Sequence, residues 1–460
     1  MKITVLNGSP KGDISVTMQY IQYMGKHHPE LKIQTHNISL QIKKIEREAD
    51  AFNSILNDVK SSDLILWAFP LYVCLVPSQY KRFIELISER KAEKYFRGKY
   101  TGVLSTSIHF FDNTAHSYMR AICDDLGMVF AGSYSAEMYD LMHSTKRDNF
   151  MVFTESIITA VKERQPSDVI YPKIKPSRFV YRPGKTAAKT DSGSKKIVII
   201  TDLEEGHKNL SGMINHLKNS FISEPEVINL RDIDIKGGCI GCIQCGYDNI
   251  CSYGDTDGYH EFYERKVKPA DIIFMAGSIH DRFLSSKWKQ FFDRAFYNTH
   301  IPVLAGKQMG WIVSGPVSQV PSLRDFIDEI TEWQKANPAG IVTDESCDSR
   351  KIDILIASLS KKSVWYADHK YIKPQTFIGV GGWKIFRDDV FGRLRFPFIS
   401  DFKYYKKHGI FDFPQNMFKI RLTNAILILL SKFGGFRNEI YKRRMRKEIV
   451  KPLANIVKYK

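Results

Sequence analysis

Four cysteines, Cys239, Cys242, Cys245 and Cys251, fall within thirteen residues. Three thiols at successive x₂ spacings with a close fourth suit the corners of a cubane, and thiolates are the standard ligands of such clusters. Zinc frameworks usually separate two Cys-x-x-Cys knuckles by a longer arm. The spacing therefore favours an iron–sulfur cluster of the 4Fe-4S kind, with zinc and a metal-free, oxidation-prone loop as the open alternatives. Cys74, Cys123 and Cys347 are scattered and read as small buried hydrophobes.

A second constellation lies near the N-terminus, in Asn7-Gly8-Ser9-Pro10-Lys11-Gly12-Asp13-Ile14-Ser15-Val16-Thr17. It joins an apolar run to a helical pattern, where free N–H groups and the helix dipole favour an anion. Ser9, Ser15 and Thr17 add hydroxyls, Lys11 adds charge, and Gly8 and Gly12 permit tight turning. This is a phosphate cradle without the Gly-Lys-Ser/Thr ending of a Walker loop. Pro70-Leu71-Tyr72 and Ser105-Thr106-Ser107-Ile108-His109 each end a predicted strand, and their amides and flat aromatic suit a planar heterocycle.

The elements that must position these loops alternate strand and helix. Strands are predicted at 2–6, 32–38, 64–69, 102–104 and 128–131, with helices at 17–27, 46–60, 79–90, 115–126 and 150–162. The continuous apolar run 64–69 reads as a strand buried on both faces of a parallel sheet. Five such pairs imply a doubly wound α/β domain, and a phosphate loop after the first strand implies the flavodoxin-like order. A Pro-rich, basic linker follows at 166–195. The pattern then begins again: Lys196–Ile200 mirrors the first strand, 270–275 mirrors 62–67, and Lys287-Trp288-Lys289-Gln290-Phe291 mirrors Gln79-Tyr80-Lys81-Arg82-Phe83. The expected organisation is a tandem repeat, 1–165 and 196–370, with a basic, mainly helical extension at 371–460.

The Gly-Ser-Pro-Lys…Ser-x-Thr loop, the strand ending in Pro-x-Tyr and the downstream Lys-x-Phe resemble the NAD(P)H-dependent FMN reductases, a flavodoxin-like family. The resemblance implies FMN with its phosphate at Ser9, Lys11, Ser15 and Thr17. It also implies an isoalloxazine between Pro70-Leu71-Tyr72 and the loop from Ser105 through Thr106, Ser107 and Ile108 to His109. The cysteine loop resembles that of the iron–sulfur flavoproteins of the same family. In the second half Asp202-Leu203-Glu204-Glu205 stands where the first has Gly8-Ser9-Pro10-Lys11, and Ser278 and His280 replace Pro70 and Tyr72. Carboxylates repel a phosphate, so the second flavin site is expected to be lost or weak. The implied function is an FMN-dependent NAD(P)H oxidoreductase that passes electrons between flavin and cluster to a small-molecule or protein acceptor. No catalytic side chain is named, because the flavin carries the chemistry. The alternatives are a non-enzymatic electron carrier or redox sensor, and an FMN reductase with a structural zinc or a metal-free cysteine loop.

The composition, 43% hydrophobic and 25% charged over 460 residues, excludes a disordered or collagen-like chain. The absence of a run of about 18 apolar residues predicts no spanning helix, and the start lacks a signal-peptide pattern, so a cytoplasmic setting is expected. The net charge of +17 is concentrated in one place: residues 361–460 hold 23 Lys/Arg against 7 Asp/Glu. That tail admits a solvated helical face, docking of an acidic carrier such as ferredoxin or flavodoxin, or contact with an anionic membrane surface. No nucleic-acid module is recognised, so no nucleic-acid partner is expected.

Overall fold

The computed structural model describes residues 1–185, 189–413 and 417–458; parts of the predicted linker and tail therefore lie outside the described residues. Its first sheet contains β1 (Lys2–Asn7), β2 (Lys32–Asn37), β3 (Leu64–Pro70), β4 (Tyr100–Ser107) and β5 (Val129–Glu137). The second contains β6 (Ile197–Thr201), β7 (Glu226–Asn229), β8 (Ile272–Ser278), β9 (Gln308–Ser314) and β10 (Asn337–Thr343). The orders are β2-β1-β3-β4-β5 and β7-β6-β8-β9-β10, and every pairing is parallel. Both sheets thus follow the flavodoxin-like order 2-1-3-4-5. The central strands β3 and β8 are buried at every residue but the last, which is why they read as continuous apolar runs rather than as alternating ones. Each sheet has its own apolar core, around Ile3, Val5 and Leu66 in the first half and around Ile199, Phe274 and Ile312 in the second.

The predicted helix 46–60 is Ala49–Ser61, and a further helix that was not predicted, Ile38–Arg47, precedes it. Ile38–Arg47 buries only Ile38, Ser39 and Ile45, so its lysine-rich exterior hides the apolar period. The aromatic stretch after 370 is helical at Phe377–Phe391, where Trp383, Phe386 and Val390 are buried. Trp383 stacks on Trp333 with ring centroids 4.7 Å apart. Residues 1–404 form one compact unit and residues 405–460 a second.

Helices Ser78–Glu89 and Ser286–Ala295 pack on each other and join the two sheets. Their contacts are reciprocal. The Ser78 N–H, at one helix start, donates to Asp293 Oδ2 of the other at 2.7 Å. The Ser286 N–H and hydroxyl donate to Glu85 at 2.5 and 2.6 Å. A carboxylate at a helix N-terminus is favoured by the dipole and by the unpaired N–H groups there. Each carboxylate also pairs one turn away on its own helix, Glu85 with Lys81 at 3.0 Å and Asp293 with Lys289. Lys81 and Lys289 are fully buried; each reaches across, to Asp281 at 2.9 Å and to the Tyr72 carbonyl at 2.9 Å. Burial works against the charge on Glu85, but Lys81 and the Ser286 bonds outweigh it and hold its carboxyl down at about 2. For Asp293 burial wins over Lys289, and its carboxyl is raised.

Candidate functional site

The phosphate-type loop leaves β1 at Asn7 and enters the helix Val16–His27. Ser15 caps that helix, its hydroxyl accepting from the Met18 N–H at 3.3 Å, which leaves the first turn's N–H groups facing the loop. Ser9 organises the turn: its N–H donates to Asn7 Oδ1 at 2.9 Å, and its hydroxyl accepts from the Lys11 N–H at 3.2 Å. Gly8 is required by contact, because a Cβ there would lie 2.8 Å from both Phe69 Cβ and Tyr80 Cγ. Gly12 is required by its φ of +61° and a close approach of Leu40. Thr17 is fully buried and its hydroxyl bonds Thr106 Oγ1 at 2.6 Å, tying the helix to β4.

The loop after β3 makes a tight turn in which the Tyr72 and Leu75 backbones pair. Val73 and Cys74 sit at φ +37° and +63°, an unfavourable region for side chains with a Cβ. Lys289 from the second half fixes this turn through the Tyr72 carbonyl. The loop after β4 is likewise fixed by its own side chains. Ser107 Oγ accepts from the His109 N–H at 2.9 Å, His109 pairs with Asp112 at 2.8 Å, and Ser105 pairs with His116 at 2.7 Å. The Asp112 bond raises the His109 pKa.

A cavity of ≈ 340 Å³ opens where these three loops meet. Ser9, Lys11, Ser15, Pro70, Leu71 and Tyr72 face it, as do Thr106, Ser107 and Ile108. Thr17, Ser105 and His109 do not line it and are engaged with Thr106, His116 and Asp112. The opposite wall comes from the second half, including Cys239, Gly241 and Ile243 of the cysteine loop. The loop is seated on the first half: Gln79 Nε2 donates to the Cys239 carbonyl at 3.2 Å. Gly241, at φ +67°, passes so close that a Cβ would lie 1.9 Å from the Tyr72 hydroxyl and 3.1 Å from Lys11 Cε. Burial, together with the neighbouring Cys239, Asp293 and Cys242 groups, raises the Tyr72 pKa.

All four predicted cysteine ligands line a smaller cavity of ≈ 20 Å³, beside Tyr253, Arg294, Phe296 and Tyr297. None is in a disulfide. The donor set suits a soft metal centre. The sulfurs are not drawn together, however, and among the described residues no three His, Cys, Asp or Glu side chains form a group able to hold a metal ion. Burial pushes the Cys239 and Cys245 thiols up to about 12.

The deep end of the larger cavity is apolar, with Phe110, Phe292, Trp333 and Phe398 on its wall. His300 also faces it, its Nδ1 paired with Asp401 Oδ2 at 2.6 Å and its ring stacked on Phe386 at 3.8 Å. Asp401 also accepts the His300 N–H at 3.1 Å and the Thr299 hydroxyl. Thr299 Oγ1 in turn accepts from Asn249 Nδ2 of the cysteine loop at 2.9 Å. Sequence reasoning missed this His–Asp pair. Its members are 101 residues apart in segments without a motif.

At the corresponding edge of the second sheet, registers place Asp202 where the first half has Gly8, one residue beyond the matched pairs Asn7–Ala68 and Thr201–Ala276. Asp202 is buried, and its carboxyl accepts from Trp288 Nε1 at 2.9 Å and from the Ser285 hydroxyl. Arg231 donates to the Asp202 carbonyl at 2.9 Å and pairs with Glu204. Trp288, Ser285 and Arg231, all from outside the loop, thus engage it. His280 lies exposed on its turn.

Residues 1–139 match the family model of NADPH-dependent FMN reductase. No curated protein matches the chain. Among solved structures, the chain is similar to an FMN-dependent NADH-azoreductase from Bacillus anthracis in complex with FMN, at 15% identity and a TM-score of 0.27, covering 36% of this chain and 99% of that one. It is similar to the flavoenzyme NAD(P)H:(acceptor) oxidoreductase FerB from Paracoccus denitrificans at 17% identity and a TM-score of 0.27, covering 34% and 97%. A third is general stress protein 14 from Treponema denticola in complex with FMN, at 9% identity and a TM-score of 0.27, covering 36% and 99%. The first sheet, over residues 1–139, is thus the part of the chain that matches the NADPH-dependent FMN reductase family.

Proposed function

We propose that the protein is an FMN-dependent NAD(P)H oxidoreductase whose flavin lies in the first half and whose cysteine loop supplies a second redox centre. The observation that carries this reading is that the phosphate-type loop, the Tyr72 turn, the β4 loop and Cys239 all face one cavity. The residues present fit the flavin. Ser9, Lys11 and Ser15 with the helix start offer hydroxyls, a cation and N–H groups to a phosphate, and the Tyr72 turn and Thr106–Ile108 offer a flat slot beyond it. FMN bound there would accept hydride from a nicotinamide and release electrons singly or in pairs.

The chain's own work is positioning and exclusion of water. Lys289 and Gln79 fix the two loops from opposite halves, and the aromatic wall keeps the deep end dry. His300, oriented by Asp401, holds a proton at Nδ1 beside that wall. For the cluster, support comes from four cysteines around one small cavity and from the seat of their loop on Tyr72 and Lys11. An iron–sulfur centre is preferred to zinc because the ligands are compactly spaced.

Anaerobic purification with iron, sulfide, zinc and FMN measured per chain tests both halves of the reading. About one FMN bleached by NAD(P)H supports the oxidoreductase; a flavin that only a low-potential carrier reduces supports an electron carrier instead. Stoichiometric zinc without iron would remove the cluster while leaving the flavin site standing.

A further inference from the structure

The unit 405–460 is unlike the rest of the molecule. Its helix Phe418–Leu430 buries no residue, although it carries Phe418, Ile420, Leu422 and an unbroken run from Ile426 to Leu430. Those side chains are 39–74% exposed, as is Phe433 just beyond at 69%. The helical run Gly434–Lys458 follows, as Gly434–Asn438, a π-turn at Glu439–Arg444, and Met445–Lys458. In its last part Ile449, Leu453 and Ile456, at i, i+4 and i+7, form an exposed apolar stripe, while Lys447 and Lys451 fall on the opposite side. The unit holds 14 Lys/Arg against 3 Asp/Glu, with Lys442-Arg443-Arg444 and Arg446-Lys447 between the two apolar surfaces.

An exposed apolar surface of this extent marks a binding site, and its charge selects the occupant. A second copy would bring the same large positive charge against itself. A nucleic acid would use the lysines and arginines but leave the leucine-rich helix in water. An anionic lipid surface satisfies both, because acyl chains accept the apolar side chains while headgroups neutralise the basic ones. Thirteen residues of helix extend about 20 Å, short of the roughly 30 Å hydrocarbon core, and among the described residues no helix is long and apolar enough to cross a membrane. We infer that residues 417–458 bind peripherally to anionic membranes, with Phe418–Leu430 lying in the interface and the basic stretch 442–447 against the headgroups. This inference is independent of the flavin reading.

The test uses the full chain and extruded vesicles of phosphatidylcholine, alone or with about 30% phosphatidylglycerol, at about 0.1 and 0.5 M salt. Co-sedimentation should be at least about tenfold stronger with the anionic vesicles and should weaken at the higher salt. Lys442→Glu with Arg443→Glu should remove most of the preference for anionic lipid, and Leu427→Asp with Leu429→Asp should remove retention at high salt. A Leu429→Trp variant, measured against the parent chain, should show added fluorescence that acyl-brominated lipid quenches; this readout does not depend on a destabilising charge. Equal binding to neutral and anionic vesicles, no binding to either, or added fluorescence in the Leu429→Trp variant that brominated lipid leaves unquenched would overturn the inference. So would a lipid-free dimer that the Leu427→Asp, Leu429→Asp variant dissolves, since the apolar helix would then be a protein contact.

Discussion

The loops that follow β1 and β6 occupy the same place in two sheets of identical strand order, yet one lines a cavity and the other is engaged by Trp288, Ser285 and Arg231. The difference begins at one position. Gly8 lets the backbone pass against Phe69 and Tyr80, whereas Asp202 places a carboxyl there and bonds Trp288 and Ser285. A fold preserves its topology under such a change because the strand before the loop, not the loop, fills the core. What the loop loses is the backbone approach that an anion needs.

The comparison is broken most severely by making the first half resemble the second. Gly8→Asp should abolish FMN retention, a loss of about 100-fold or more in affinity, because a side chain enters the space of Tyr80 and a carboxylate faces the phosphate. FMN content after purification and fluorescence titration measure it, with a thermal melt to establish that the fold persists. Retained flavin would show that the phosphate lies elsewhere.

The paired carboxylates under the site sharpen the contrast. Removing the charge of Glu85 leaves Lys81 buried with Asp281 as its remaining carboxylate, and Glu85→Gln should cost about 3–5 kcal/mol. Asp293→Asn should cost more, about 5 kcal/mol, because it leaves the fully buried Lys289 with the Tyr72 carbonyl and no carboxylate. Glu85, held at about 2 against a reference of 4.5, stabilises the fold fully above about pH 4.5, and this contribution is lost as pH falls towards 2. Urea unfolding of both variants from pH 3 to 7, each against the parent, reads out the difference; equal costs would show that the two helix starts are equivalent.

Glu329 provides the opposite sign. It accepts from Thr114 in a buried setting, and burial pushes its carboxyl up from 4.5 to about 8. Stability should therefore fall as pH rises from about 4.5 to 8, since the unfolded chain releases a proton that the native state retains. Glu329→Gln should flatten that slope and stabilise the protein by about 3 kcal/mol at pH 7, measured by denaturant midpoints at pH 5 and 7.5. An unchanged slope would mean that Glu329 is ionised in the native state. The smallest effect is expected at Gly241→Ala, where strain at positive φ and the Tyr72 contact should cost about 1–3 kcal/mol and loosen the cysteine loop. Metal content per chain would fall with it if the loop is a metal site.

Much of this was legible from residue order. The apolar runs 64–69 and 270–275 located β3 and β8, and the echo between 79–83 and 287–291 located the helices that join the halves. Gly8, Ser9 and Lys11 marked the tight turn between β1 and its helix because turn chemistry is local. Contacts that depend on folding were hidden. Thr17 resembled a phosphate ligand but is spent on Thr106, a residue 89 positions away, and His300 gains meaning only beside Asp401. The helix Ile38–Arg47 escaped detection because it buries too few residues to impose a period.

The reciprocal seating of Ser78 on Asp293 and Ser286 on Glu85 has a consequence for stoichiometry. Two separate polypeptides meeting through such a surface would part on dilution. Here the linker joins the halves and keeps their mutual effective concentration constant. Because the two halves are unequal, every molecule carries the Ser9–Lys11 loop and the cysteine loop together, in a ratio fixed by translation rather than by assembly.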